Sequence, residues 1–266
     1  MKSINIHSMY EQVKDWILEV GKEIRESVHK PHTINLKKDY KDLVTEVDEE
    51  TEKYFIQKIK SAYPDHKVLG EEGFGDTLTS LDGWVWIIDP IDGTMNFVHQ
   101  KRNFAISIGI YKDGVGMIGF IYNVMEDVLY YAIKGEGAFK NDEKLPMHTE
   151  TTLEDSILGI NSFWGIPNRR VEEEGIQNLI RRVRGTRSYG SAALEFAFVA
   201  EGIIDGYFTM RLSPWDIAAG VIIVNEVGGV TTNVEGGPLN MLETNTILTC
   251  NRSIHNEIIT KYVQVK

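Results

Sequence analysis

Acidic residues cluster in three short stretches of this chain, and each cluster abuts an apolar run. Glu71 and Glu72 follow Lys67–Gly70 directly. Asp89 and Asp92 close the run Trp84–Ile88 and lead into Gly93 and Thr94. Asp216 stands in Ser213-Pro214-Trp215-Asp216, at the start of a helical pattern. Two carboxylates three residues apart at a strand end can converge on one point, and carbonyl oxygens of the turn between them can join the set. An all-oxygen donor set suits a hard divalent cation, Mg²⁺ or Mn²⁺. Pro90 fixes its own φ and steers Asp89 away from helix. Gly93 lets the backbone pass close to a ligand, and a helix opening at Gly93–Thr94 would turn free N–H groups toward a phosphate. Each piece alone has a plainer reading: a turn or cap for Asp-Pro-Ile-Asp and Trp-Asp, solvated surface for Glu-Glu. The combination favours metal and phosphate held side by side.

The elements that must position these residues follow from periodicity. Ile6, Met9, Val13, Trp16, Ile17, Val20, Ile24 and Val28 recur at helical spacing, predicting a long amphipathic helix over residues 4–28. Residues 31–42 read as a polar loop, and a second helix begins near Glu46 and stops by Pro64. Short apolar runs at 67–70, 84–88, 104–111, 115–122 and 127–132 read as strands, with Asp113-Gly114 as a hairpin turn. The strand 84–88 is expected to end at Asp89. Beyond residue 150, strands near 157–160, 184–187, 203–209 and 246–249 alternate with helices near 168–182, 190–201, 215–227 and 253–263. That alternation argues for an α/β arrangement. Two lobes sharing one interface are expected: residues 1–145, a helix pair on an antiparallel sheet carrying most metal ligands, and residues 146–266, an α/β lobe carrying Asp216.

Composition narrows the function classes. The 266 residues carry 28 Lys and Arg against 39 Asp and Glu, a formal net charge of −11, which disfavours nucleic acid as a partner. No apolar run approaches the ~20 residues of a membrane span, and the N-terminus lacks the continuous apolar stretch of a signal peptide. The single cysteine, Cys250, reads as a small buried hydrophobe, and a reducing, cytoplasmic setting fits. The seven histidines show no zinc-binding spacing. Gly190-Ser191-Ala192 lacks the GxSxG elbow of a serine hydrolase, and Gly135-Glu136-Gly137-Ala138-Phe139-Lys140 has lysine where a dinucleotide fingerprint needs its last glycine.

Asp89-Pro-Ile-Asp-Gly-Thr94 resembles the first signature of the inositol monophosphatase family, and Trp215-Asp-Ile-Ala-Ala-Gly220 its second, extended by Val221–Gly229. Asp42–Asp48, Gly70–Glu72, Gly135–Phe139 and Gly190–Ala193 match in order and approximate spacing, so the resemblance spans nearly the whole chain. It implies the layered αβαβα sandwich of the inositol monophosphatase and fructose-1,6-bisphosphatase type. Carried over by motif, Glu71, Asp89 and the Ile91 carbonyl would hold a first metal, and Asp89, Asp92 and Asp216 a second. A third would sit near Glu71, helped through water by Asp42 or Glu72. Thr94 and Asp48 would orient or activate the attacking water, with Glu71 counted among the catalytic groups. The backbone at Gly93 and Thr94 would grip the phosphate. Ala192 and Thr209 would face the organic part of the substrate with Asp92 and Asp216, and Lys37 would help close the site.

The implied activity is Mg²⁺-dependent hydrolysis of a phosphate monoester of a small polar metabolite by direct attack of metal-activated water, with two to three ions per subunit, lithium sensitivity and a homodimer. Inositol 1-phosphate heads the substrates. Thr209 departs from the family's inositol-specific members, which carry a hydroxyl-binding glutamate seven residues before the second-signature aspartate. This leaves the 2′-phosphate of NADP(H), sugar bisphosphates and nucleotide 3′-phosphates as alternatives. Arg211 nearby would suit a second phosphate or lie idle at the surface. The different-class alternative is a non-catalytic metal- or phosphate-binding module.

Overall fold

The computed structural model describes residues 5–36 and 43–266. In chain order the first elements are α1 (Ile6–Ser27), β1 (Ile34–Leu36), β2 (Leu43–Thr45), α2 (Glu46–Ala62), β3 (Lys67–Gly70), β4 (Trp84–Asp92) and α3 (Thr94–Gln100). A meander follows: β5 (Ala105–Lys112), β6 (Val115–Asn123), β7 (Val128–Ile133), β8 (Gly137–Lys140) and β9 (Glu143–Lys144). The remainder comprises β10 (Ile157–Ile160), α4 (Glu173–Arg182), β11 (Gly185–Arg187), α5 (Ala192–Glu201), β12 (Gly206–Leu212), α6 (Pro214–Glu226), β13 (Val230–Thr232), β14 (Asn245–Cys250) and α7 (Arg252–Tyr262). The seven-stranded sheet runs in chain order from β3 to β9, and the five-stranded sheet runs β11-β10-β12-β14-β13.

Three apolar interfaces stack these pieces into five layers. Trp86 and Ile88 of β4 face one way with Ile106, Ile108 and Ile110 of β5, packing on Met9, Val13 and Ile17 of α1 and Phe55 and Ile59 of α2. Val85 and Ile87 face the other way, onto α5 and α6. The strand period of two thus supplies both faces of one sheet. Phe208 and Met210 of β12 face away from α5 and α6, against Ile176 and Leu179 of α4 and Ile254 and Ile258 of α7. The order is helix pair, sheet, helix pair, sheet, helix pair, the αβαβα sandwich expected from the sequence.

The two central helices are apolar nearly all round because both flanks are covered by sheets. On β5 and β6, α6 sits at backbone distance. A Cβ at Gly109 would lie 2.7 Å from the Ala218 Cβ, and one at Gly119 2.6 Å from the Ala219 carbonyl oxygen. A side chain at either glycine would push the helix off, carrying with it Asp216 in the first turn of α6.

Local differences from the expected elements have identifiable causes. Asp113 and Gly114 adopt φ of 49° and 78°, the conformation a tight two-residue hairpin requires, as expected. The supposed loop 31–42 contributes Ile34–Leu36 to a two-stranded ribbon with Leu43–Thr45. The helix expected from residue 168 begins at Glu173, because the Asn168 side chain accepts the Arg170 and Val171 N–H groups and holds a turn. Strand β4 does not end at Asp89 but continues to Asp92. Cys250 is fully buried, and burial pushes its thiol pKa up. No helix among the described residues is long and apolar enough to cross a membrane.

Candidate metal and phosphate site

The extension of β4 explains how its two aspartates meet. Asp89 pairs with Ser107 and Asp92 with Ala105, so three steps on β4 oppose two on β5. Residues three apart on a regular strand point to opposite faces, and one extra residue restores them to the same side. Pro90 marks the place, since it has no N–H to give the ladder. The Asp89 Oδ1 accepts the Ile91 N–H at 3.0 Å and fixes the bulge. Asp89, Asp92 and Asp216 then present carboxylate oxygens within 4.8 Å of one another. Asp89 also shares a side-chain hydrogen bond with Glu71, whose N–H is held by the Ile88 carbonyl at 3.2 Å.

Each carboxylate is fixed by its own element. Asp92 is 7 % exposed and accepts from the Ser191 hydroxyl and, at 2.8 Å, from the Ala193 N–H in the first turn of α5. Asp216, the third helical residue of α6, accepts the N–H of the N-cap residue Ser213 at 2.7 Å and completes a capping box. Asp48, fully buried in the first turn of α2, accepts the Thr45 N–H at 2.9 Å and the Thr45 hydroxyl at 2.6 Å. Its other oxygen faces the Thr94 hydroxyl at 2.9 Å, which also lies 3.1 Å from the Ile91 carbonyl. Gly93, at φ 93°, caps α3, and a Cβ there would lie 3.2 Å from both the Asn103 carbonyl oxygen and the Ser191 Cβ.

Charge crowding is the dominant electrostatic fact. Burial first, then repulsion from Glu71, Asp92 and Asp216, pushes the Asp89 pKa well above the usual carboxylate range. Asp216 is pushed well above by burial and by Asp92 and Glu71. Burial raises Asp92 to about 6 against the opposing help of Ser191 and Ala193. Asp48 is raised mainly by burial. Like-charged carboxylates at this spacing require protons or cations between them. The donors are all oxygen and partly buried, so they fit a hard divalent cation such as Mg²⁺ or Mn²⁺.

Beside the cluster opens a cleft of about 450 Å³. Asp92, Asp216, Ala192 and Thr209 all line it, bringing the expected substrate-facing residues onto one surface. Phe163, Trp164, Tyr207 and Leu212 line it as well. Glu195, 3 % exposed, forms part of the wall, accepts the Tyr189 N–H at 2.8 Å, and is raised by burial to about 7. Arg211 is exposed and is not among the residues lining the cleft. Lys37 and Asp42 lie outside the described residues. Glu72 sits in the turn after β3, its N–H held by Glu52 at 2.7 Å.

Supports that the sequence reading did not single out are Ser191, Glu52 and Asn96. Glu52, fully buried, also accepts the Phe74 N–H at 2.9 Å and so shapes the turn carrying Glu71. Asn96 donates to the Asn103 and Tyr189 carbonyls at 2.8 and 2.7 Å, tying α3 to the loop before α5. One signal was available: Glu52 lies four residues after Asp48, on the same face of α2 as Phe55 and Ile59, where a carboxylate must have a buried task.

Comparison with known proteins agrees with this geometry. Residues 5–266 match the inositol monophosphatase family. An inositol-1-monophosphatase of Bacillus subtilis is 54 % identical over 96 % of this chain and 97 % of its own length. A fructose-1,6-bisphosphatase/inositol-1-monophosphatase of Thermotoga maritima is 37 % identical over 85 % of this chain and 84 % of its own. Among solved structures, a Staphylococcus aureus inositol monophosphatase-II with bound 2′-AMP superposes with a TM-score of 0.87 at 42 % identity, covering 97 % of this chain and 94 % of that one. The same protein has been solved with inositol monophosphate. An inositol monophosphatase/NADP phosphatase complexed with Mg²⁺ and phosphate superposes at 0.88 with 27 % identity, covering 96 % and 94 %. The chain therefore belongs to the inositol monophosphatase family and is a phosphoric monoester hydrolase.

Proposed function

We propose that the protein hydrolyses the phosphate monoester of a small polar metabolite, inositol 1-phosphate foremost, in a Mg²⁺-dependent reaction. The observation that carries this is the convergence of Asp89, Asp92 and Asp216 within 4.8 Å beside a cleft. Glu71, Asp89 and the Ile91 carbonyl would hold one ion, and Asp89, Asp92 and Asp216 another. Bound there, divalent ions supply charge neutralisation of the phosphate, acidification of water and stabilisation of the leaving oxygen. The chain's own residues do the positioning that phosphoryl transfer mainly demands. The Thr94 hydroxyl, hydrogen-bonded to buried Asp48, orients the attacking water, and Asp48 takes its proton through Thr94. The backbone at Gly93 and Thr94 grips the phosphate where α3 begins. Ala192 and Thr209 face the organic part of the substrate. We read residues 1–145 as the lobe supplying Asp48, Glu71, Asp89 and Asp92, and 146–266 as the lobe closing the site with Asp216.

A second reading, hydrolysis of a nucleotide 2′-phosphate such as that of NADP, is favoured by uncharged Thr209 and by the aromatic wall of the cleft. It accords with the staphylococcal relative solved with 2′-AMP. Initial rates on inositol 1-phosphate, NADP, fructose 1,6-bisphosphate and adenosine 3′,5′-bisphosphate decide between them. A higher kcat/KM for inositol 1-phosphate or NADP than for either bisphosphate is expected, and preference for a bisphosphate would overturn the ranking.

A further inference from the structure

The cleft is lined both by carboxylates, Asp92 and Asp216, and by the rings of Phe163, Trp164 and Tyr207, and the hydrolytic step proposed above uses only the carboxylates. Phe163 is 48 % exposed although it is a large apolar side chain, and it stands on the cleft wall. Its ring is held in place: it meets the nearly buried Trp164 edge to face, with centroids 5.1 Å apart at 80°. The short 3₁₀ turn Ser162–Gly165 that carries both rings is pinned at its end, where Gln177 donates to the Gly165 carbonyl at 2.9 Å. At its start the Asn161 Oδ1 accepts the Phe163 N–H at 2.9 Å. That bond fixes which way the amide points, and the Asn161 Nδ2 has no hydrogen-bond acceptor among the described residues. Asn161 lines the same cleft. A preset aromatic face with an unspent amide donor at its edge is the equipment for a flat heteroaromatic ring, which stacks on the face and offers ring nitrogens to the donor. A polyol ring has neither a π face to stack nor ring nitrogens for the donor.

We propose that Phe163 and Asn161 form a nucleobase subsite, the base of a nucleoside monophosphate stacking on the Phe163 ring while its phosphate sits at the Asp89, Asp92 and Asp216 cluster. The proposal deepens the second reading above, rests on it, and assigns the specificity it implies to two residues. Thr209, uncharged and on the same cleft, leaves the ribose unopposed.

The test compares kcat/KM for adenosine 2′-monophosphate and for glycerol 2-phosphate, a secondary phosphate ester without a base, with inositol 1-phosphate as a further arm, in wild type, Phe163→Ala and Phe163→Tyr. Wild type is expected to prefer the nucleotide to glycerol 2-phosphate. Phe163→Ala should lower that preference by between about five-fold and about a hundred-fold, the range of one base–aromatic stack, and Phe163→Tyr should restore it. Inositol 1-phosphate turnover should stay within about two-fold of wild type, since it draws no stacking from the ring. A nucleotide preference that survives Phe163→Ala would overturn the subsite and leave the nucleotide reading standing. A wild type with no preference for the nucleotide would overturn both. Equal loss on all three esters, or a changed elution volume of Phe163→Ala on gel filtration, would mark the ring as a general support or a subunit contact and overturn the subsite.

Discussion

The two walls of the cleft are built on different principles. One wall presents Asp92 and Asp216, which with Asp89 form a set of charges that would repel one another, each fixed by a hydrogen bond at a helix start, a cap or a bulge. The wall formed by Phe163, Ala192, Tyr207 and Thr209 is neutral and largely shape. Charge placement has few solutions, since removal of one carboxylate changes what ion can bind. Shape has many, since a methyl group or a ring exchanges one substrate for another at modest energetic difference. On the reading proposed above, the reaction resides in the first wall and the choice of substrate in the second.

Substitutions in the charged wall should do the most damage. Asp92→Asn keeps the shape but removes a charge and is expected to lower kcat by about a thousand-fold or more, because ion binding and transition-state stabilisation fall together. Loss of less than ten-fold would break the distinction between the walls. Next in size, Asp48→Asn or Thr94→Val should lower kcat by about a hundred-fold with KM little changed, the mark of a group that acts on the water and not on the substrate. A rise in KM alone would reassign both residues to binding.

The crowding also predicts a pH effect of smaller size. Burial raises the folded-state pKa of Asp92 to about 6, above its ordinary 3.8. Between these values the folded chain holds more protons than the unfolded one, so metal-free stability should fall as pH rises through that window. Mg²⁺ must displace the same protons, so the gain in Tm on adding saturating Mg²⁺ should grow from about pH 4 to about pH 7. A Tm gain that is flat or falls with pH would contradict the crowded-carboxylate account. The smallest effect belongs to the neutral wall: Thr209→Glu should shift the kcat/KM ratio toward inositol 1-phosphate over NADP by about ten-fold while leaving metal dependence intact. An unchanged ratio would remove Thr209 from specificity.

Much of this was legible in the residues. The helical stripe Met9–Ile24 and the alternation in β5 and β6 announced the first layers, and the match of Asp89–Thr94 and Trp215–Gly220 to the family signatures announced the charged wall. Less legible was the continuation of β4 to Asp92, because a bulge is a property of the pairing with β5 and not of one strand's pattern. Strand β13 escaped notice since Val230–Thr232 is too short to show a period and owes its state to β14. Ser191 and Asn96 escaped for a related reason: both secure the site across gaps of about a hundred residues, which no local spacing reveals. The aromatic wall was invisible for the same cause, its parts coming from a 3₁₀ turn and a strand distant in sequence.

The most direct test of the central claim is phosphate release from inositol 1-phosphate by wild type and by Asp89→Asn, each with Mg²⁺ and with a chelator, and with folding of both checked by circular dichroism. The account predicts saturable release by the wild type with Mg²⁺, none with chelator, and a folded Asp89→Asn protein inactive in both. Release that survives the chelator, or that survives Asp89→Asn at near wild-type rate, would contradict it.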